Sequence, residues 1–215
     1  ESGAITVSMT NDRNSPLAQA SDLHLYIEAD KEIAVAATKS YSAQLFTAYI
    51  FTATWANLPM NLSNLIAQVK KQVSDISNIE NAVEIFDHKS GVTVMGRGFA
   101  YANAHEAALK IQETLKVPVA SFSSADYLHG PISSLTDESR VILFAPTGFS
   151  SDSILATVTK IRAITNNIFW IGQGFATEPN EIKIGGSSGL SEIESTIADV
   201  IVLQQFAMLL AIKNG

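Results

Sequence analysis

Short apolar segments that read as β-strands alternate with helix-length segments along most of this chain. The clearest strands are "VTVMG" (92–96), "SRVILFAP" (139–146) and "NIFWIG" (167–172), and helices are predicted near them at 102–115 and 151–165. Four more strands are predicted at 4–12, 21–30, 117–123 and 182–184, and three more helices at 35–57, 62–86 and 192–212. This alternation is typical of a parallel sheet covered by helices on both faces. The sequence therefore predicts a three-layer α/β/α fold, doubly wound around a parallel sheet.

A long helical stretch interrupts the alternation and divides the chain into three parts. Residues 1–34 read as the C-terminal part of one α/β unit, residues 35–88 as a helical connection, and residues 89–215 as a nearly complete second α/β unit. The first residues read as the end of a helix that runs into a strand. We therefore expect the chain to be a fragment that begins inside a domain.

Composition narrows the classes of function. The chain has 215 residues, 47% of them hydrophobic and 16% charged, which predicts a packed core rather than disorder. A net charge of −7 without any basic run argues against nucleic acid as a partner. Cysteine is absent, which excludes disulfides, thiolate metal sites and a cysteine nucleophile and fits a reducing cytosol. The longest apolar stretches are too short or too interrupted for a membrane span, so we expect a cytoplasmic protein without a membrane partner.

Three ionisable residues gather on one predicted helix in the segment "HEAALKIQETLK" (105–116). At helical spacing, Glu106, Lys110 and Glu113 form a stripe roughly opposite an apolar stripe. One interpretation is a solvated face with an i,i+4 ion pair worth about 0.2–0.5 kcal/mol. The other is the wall of a site in which a carboxylate acts as a general base and the lysine orients it. Spacing alone leaves both open.

A histidine follows this helix in "YLHGPISSL" (127–135). Gly130 and Pro131 make a rigid turn there, so His129 has little reason to be a core residue. Loops after strands are where open α/β sheets bind ligands. A functional imidazole and an ordinary turn histidine are both compatible with this pattern.

Two further segments carry weaker signals. "VMGRGFAYANAHEAALK" (94–110) begins like a dinucleotide-binding fingerprint, but its third small position is Tyr101 and no acidic ribose contact is evident. "KEIAVAATKSYSAQL" (31–45) places several hydroxyls at a predicted helix start. Thr38 or Ser40 could cap that helix, and a polar ligand bound at its N-terminus is the alternative.

Three segments together resemble the SIS (sugar isomerase) domain family. They are "EIAVAATKSYSAQL" (32–45), "GRGFAYANAHEAALKIQET" (96–114) and "SADYLHGPISSL" (124–135), in the family's order and with its spacing. Within the family, they are similar to the isomerase half of glutamine–fructose-6-phosphate aminotransferase and to glucosamine-6-phosphate deaminases. The resemblance covers essentially the whole chain and implies two SIS units in each subunit. It also implies a homodimer with a shared active site.

The resemblance also implies roles for individual residues. Glu113 would be the base that moves a proton between C1 and C2 of an open-chain sugar phosphate, and His129 would help to open the sugar ring in the site of the neighbouring subunit. Glu106 and Lys110 match positions that line or support this site. The implied substrate-binding residues are Val35, Ala37, Thr38 and Gly130. The chemistry requires neither a metal nor an organic cofactor.

The chain departs from the family pattern in three places. Position 37 is alanine where the family often has serine, which removes one hydroxyl contact. The Ser-Gln-Ser-Gly type of loop that cradles the substrate phosphate, and the C-terminal tail with its lysine, are both absent from the sequence. We therefore expect negligible catalysis from these 215 residues alone.

The leading functional hypothesis is aldose–ketose isomerisation of an amino-sugar or keto-sugar 6-phosphate, coupled to amination or deamination at C2. The segment "SSADYLHGP" resembles the stand-alone deaminases and isomerases slightly more than the aminotransferases. The second hypothesis is a non-catalytic phosphosugar-binding SIS module, which the presence of both Glu113 and His129 disfavours. A nucleotide-dependent oxidoreductase is disfavoured by the incomplete glycine fingerprint.

Overall fold

The computed structural model describes residues 3–174 and 178–215, and these form two compact units that divide between Met60 and Asn61. The sequence analysis places domain boundaries after residues 34 and 88. These two boundaries remain predictions. The α/β class with parallel sheets is confirmed by both units.

The first unit consists of two parallel strands and two helices. They are β1 (Val7–Thr10), α1 (Pro16–Ala20), β2 (Leu23–Tyr26) and α2 (Lys39–Trp55). Helix α1 was not expected, although its start follows the usual rules: the Ser15 side chain accepts a hydrogen bond from the Ala18 N–H, and Pro16 occupies the first turn.

The second unit begins with two short helices, α3 (Leu62–Ser74) and α4 (Ser77–Ile85). The prediction of one helix over 62–86 is wrong, because Asp75 takes an extended conformation between them. The Ser74 hydroxyl donates to the Lys71 carbonyl and the Ser77 hydroxyl donates to Asp75. Short polar side chains that bond locally in this way compete with the helical hydrogen bonds.

The rest of the second unit is a parallel five-stranded sheet with helices on both faces. Its elements in chain order are β3 (Val92–Gly96), α5 (Ala100–Leu115), β4 (Val119–Ser123), α6 (Ser124–Tyr127), a 3₁₀ turn (Pro131–Ser134), β5 (Arg140–Ala145), α7 (Ser151–Arg162), β6 (Ile168–Gly172), β7 (Ile182–Gly185) and α8 (Glu192–Asn214). The strand order is β4-β3-β5-β6-β7, and every pairing is parallel. This is a doubly wound order. From β3 the chain first adds a strand on one side, β4, and then adds β5, β6 and β7 on the other side, so the strand order reverses between β3 and β5.

Alternate residues of the strands supply two separate cores, one on each face of the sheet. Val94, Ile142 and Phe144 pack with α5 and α8, whereas Met95, Leu143 and Trp170 pack with α7. The sheet is thus buried on both sides, which explains why its strands read as continuous apolar runs. The predicted three-layer arrangement is confirmed.

Helix α8 closes one face of this unit. Its start carries a capping box, in which Ser191 and Glu194 bond reciprocally to each other's backbone. Among the helices of the described residues, it alone is long and apolar enough to cross a membrane, but 67% of its most apolar window is buried inside the fold. It therefore packs as a core helix of the second unit.

Candidate active site

The candidate site is built on α5, which starts immediately after the carboxyl end of β3. Gly96 makes this close approach possible, because a Cβ at that position would lie 2.3 Å from the carbonyl oxygen of Ala100. Asn103 holds the helix against α8 by donating from Nδ2 to the carbonyl of Thr196, at 2.8 Å. The inward side of α5 carries small residues that permit such close packing: Ala100, Ala104, Ala107 and Ala108.

Glu106, Lys110 and Glu113 form a charged cluster along this helix. Lys110 Nζ donates to Glu113 Oε2 at 2.5 Å and lies 4.0 Å from Glu106 Oε1. Glu106 and Lys110 are buried, with exposures of 6% and 3%. The interpretation of this stripe as a solvated face is therefore wrong, because two of its three members are shielded from water.

Burial decides the electrostatics of the cluster. Desolvation raises the pKa of Glu106; the positive charge of Lys110 opposes this shift, and the negative charge of Glu113 adds to it. Glu106 Oε1 is buried and makes no hydrogen bond within the described residues. A buried lysine is costly unless it is paired, so the two glutamates give Lys110 the partners that its position requires.

Glu113 is the one open member of the cluster. The residue as a whole is exposed, and 27% of its side chain is accessible. The carboxylate is held by Lys110 on one side and faces solvent on the other, so within this chain it is only partly shielded from water. A substrate could therefore reach it without displacing the core.

His129 and Gly130 lie in the turn between α6 and the 3₁₀ turn. The His129 backbone N–H bonds to the Asp126 carbonyl at 3.0 Å, and the residue is exposed. Within the described part of the chain, its imidazole makes no hydrogen bond or ion pair. Gly130 has φ 142°, a conformation that glycine adopts readily and other residues rarely do. The predicted tight turn is thus present and presents the imidazole to solvent.

The three remaining predicted residues belong to the first unit, in the loop that leads into α2. Val35 is 94% exposed, and its carbonyl accepts a hydrogen bond from the Ala37 N–H at 3.0 Å. Thr38 occupies the N-cap position of α2. The structure thus places Glu106, Lys110 and Glu113 in one cluster, while Val35, Ala37 and Thr38 are placed within the first unit.

Glu32 is a polar residue whose structural role the sequence reasoning missed. Its Oε2 accepts hydrogen bonds from the backbone N–H of Thr38 and of Ser40, and from the Ser40 hydroxyl, at 2.9–3.1 Å. These bonds, led by the one from the Ser40 backbone, lower the pKa of Glu32. The Glu32 carboxylate therefore occupies the N-terminus of α2, the position for which a polar ligand is the alternative predicted from the sequence. An acidic residue a few positions before a predicted helix was the available signal.

Comparison with known proteins places this geometry in a family. The SIS domain family matches residues 1–53 and 84–171. Glutamine–fructose-6-phosphate aminotransferase of Aquifex aeolicus is 29% identical over 225 residues, which cover 100% of this chain and 37% of the relative. The chain spans little more than a third of the length of such curated relatives.

Two solved structures share the fold. The C-terminal domain of glucosamine-fructose-6-phosphate aminotransferase from Francisella tularensis superposes with a TM-score of 0.86 at 24% identity, covering 97% of this chain and 63% of that chain. Glucosamine-6-phosphate deaminase from Thermotoga maritima superposes with a TM-score of 0.72 at 18% identity, covering 97% and 62%. At these identities the two structures establish the common fold.

Proposed function

The chain belongs to the SIS domain family, and on that basis we propose that it carries the isomerase chemistry of an enzyme for an amino-sugar or keto-sugar 6-phosphate. The reaction is an aldose–ketose isomerisation coupled to amination or deamination at C2, between compounds of the glucosamine 6-phosphate and fructose 6-phosphate type. The relatives with these activities support the substrate class. The predicted resemblance to this family is confirmed.

The observation that carries the proposal is the contact between buried Lys110 and accessible Glu113. An ammonium group 2.5 Å from Oε2 fixes the direction of the carboxylate through a charge-assisted hydrogen bond. The contact involves Oε2, so Oε1 is the oxygen offered to the substrate. Glu113 then takes a proton from C2 or C1 of the open-chain sugar and returns it to the other carbon.

Glu106 positions the lysine rather than touching the substrate. It is buried on the same helix, 4.0 Å from Lys110 Nζ, and its raised pKa reflects its removal from water. Together the two glutamates hold Lys110 in place, and Lys110 holds Glu113. Glu106 is therefore a positioning residue.

His129 supplies the second acid–base group. Its exposed imidazole can donate a proton to the ring oxygen of the cyclic sugar while the anomeric hydroxyl loses one, which opens the ring before isomerisation. We propose that it acts in the site of the neighbouring subunit of a homodimer. The proposed substrate contacts are Val35, Ala37, Thr38 and Gly130.

We also propose that the protein is cytoplasmic and has neither nucleic acid nor membrane partners.

A phosphosugar-binding module without catalysis is the alternative. The partial exposure of Glu113 favours it, because a sensor has no need to shield a base from water. Assay of the complete protein for ammonia release from glucosamine 6-phosphate, and for sugar 6-phosphate isomerisation, separates the two. Turnover supports the enzyme, whereas saturable sugar-phosphate binding without any turnover supports the sensor.

A further inference from the structure

The second unit has a crevice at the switch point of its sheet, and a side chain of the same chain occupies it. In doubly wound folds, ligands bind outside the carboxyl ends of the strands where the strand order reverses. Here that point lies between β3 and β5, whose following loops carry Gly98 and Gly148. Each loop leads into the N-terminus of a long helix, α5 or α7, where backbone N–H groups favour an anion.

The carboxylate of Glu192, the first residue of α8, lies between these two loops. Its Oε2 accepts a hydrogen bond from the Ser150 N–H at 3.1 Å, at the start of α7. A Cβ at Gly98 would lie 2.7 Å from Glu192 Oε1, and one at Gly148 would lie closer still to Glu192 Oε2. Both loops thus approach the Glu192 side chain so closely that a Cβ at either glycine would force that side chain to move, and Glu192 itself is 9% exposed.

A second observation marks this crevice as a polar site. Ser150 is 6% exposed, and its hydroxyl oxygen is buried without a hydrogen-bond partner in the described residues. Its Cβ lies 3.7 Å from the position of a Cβ on Gly98, so the residue belongs to the same pocket. The crevice is therefore lined by two glycines, by the Ser150 backbone N–H and by the Ser150 hydroxyl, which is unpaired within the described residues. Together these groups would suit a small oxyanion.

We infer that Glu192 is an internal anion that closes this crevice to phosphate. Its carboxylate takes the backbone N–H that an oxyanion would use, fills the space between the glycine loops, and repels a second negative charge. Under the proposed function, the phosphate of the sugar is then bound outside this crevice. The inference itself rests on the geometry of the second unit and does not depend on any enzymatic activity.

Phosphate titration of the ¹⁵N-labelled chain, monitored at the amide signals of Gly98 and Ser150, tests this inference. The wild type should show no saturable shift with inorganic phosphate. Glu192→Ala should show a saturable shift at both amides, because the space and the Ser150 N–H become available. The matched control Glu80→Ala removes an exposed acid from the first turn of α4 and should behave like the wild type.

Two results would overturn the inference. One is saturable phosphate binding at Gly98 and Ser150 in the wild type, which needs no variant to fold. The other is a folded Glu192→Ala chain whose two amides do not respond to phosphate. Glu192→Ser gives a second opened form with a short polar side chain in place of the carboxylate, and the same response is expected of it.

Discussion

Lys110 and Glu113 lie one helical turn apart on α5, with the lysine Nζ 2.5 Å from Oε2 of the glutamate. The lysine is buried and the glutamate is partly open, so the pair connects the core of the second unit to its surface. Glu106 lies on the buried side of the same lysine. The cluster therefore serves the stability of the helix as well as the proposed chemistry.

Removing the lysine should destabilise the second unit. Lys110→Met leaves the buried Glu106 without its cation, and loss of one partner of a buried pair typically costs about 3–5 kcal/mol. The loss of unfolding free energy should be larger at pH 8 than at pH 5, because at the lower pH Glu106 can take up a proton and no longer buries an unpaired charge. Urea unfolding measures it, and Lys110→Met combined with Glu106→Gln should recover part of the loss. Equal costs for the single and double variants would contradict this account.

Asp199 should make stability depend on pH. It is fully buried on α8, and burial raises its pKa from 3.8 to about 7, although the Ser187 N–H donates to it at 2.6 Å. The folded state thus holds the proton more tightly than the unfolded chain. The contribution of Asp199 to the free energy of unfolding is therefore greatest below pH 4. It falls by up to about 4 kcal/mol as the pH rises towards 7.

The variant Asp199→Asn keeps an acceptor for Ser187 and removes the titration. Its unfolding free energy, followed by urea denaturation between pH 4 and pH 8, should therefore decline less than that of the wild type. Above pH 7 it should be the more stable protein. Parallel pH profiles for the two proteins would rule out a titrating Asp199.

The order of strands and helices in the second unit was predictable, since its strands are short apolar runs buried on both faces. The break at Asp75 was harder to predict, because Leu65, Val69 and Val73 continue a helical stripe up to it. The local bonds of Ser74 and Ser77 compete with the helical hydrogen bonds at that point. Helix α1 was missed although Ser15 and Pro16 carried a recognisable start signal.

The sequence placed Glu106, Lys110 and Glu113 on one helix but could not establish whether that stripe was buried. Burial depends on α8, which is distant in the chain and packs against α5 through contacts such as the one between Asn103 and Thr196. The position of Glu192 in the crevice was equally hidden. It requires two loops and the start of α8, which are distant in the chain, to meet in space, and no local pattern encodes that meeting.

Gly96→Ala should disturb the start of α5. The added Cβ would meet the backbone of Ala100 at 2.3 Å, so strand and helix must move apart, at a cost of about 1–3 kcal/mol. Gly91→Ala is the control, since its Cβ would meet nothing within 4 Å and the cost is only that of its φ of +83°. Thermal or urea unfolding of both variants measures the difference. A Gly96→Ala variant no less stable than the control would show that the contact relaxes freely.

Mixing of variant subunits tests whether His129 acts across a dimer. Glu113→Gln and His129→Asn should each be inactive as homodimers of the complete protein. If the histidine comes from the neighbouring subunit, every mixed dimer contains one intact site. Random mixing makes about half of all dimers mixed, so about a quarter of wild-type activity should be restored. No restoration in a mixture that demonstrably exchanges subunits would place both residues in the same subunit.

The central claim is that the carboxylate of Glu113 moves a proton between neighbouring carbons of a sugar phosphate. The most direct test is deuterium incorporation in D₂O at C1 of fructose 6-phosphate, or at C2 of the aldose formed from it, compared between the complete wild-type protein and its Glu113→Gln variant. We predict exchange in the wild type and a loss of about 10²-fold or more in the variant, with sugar-phosphate binding retained. Unchanged exchange in a folded Glu113→Gln protein would contradict the claim.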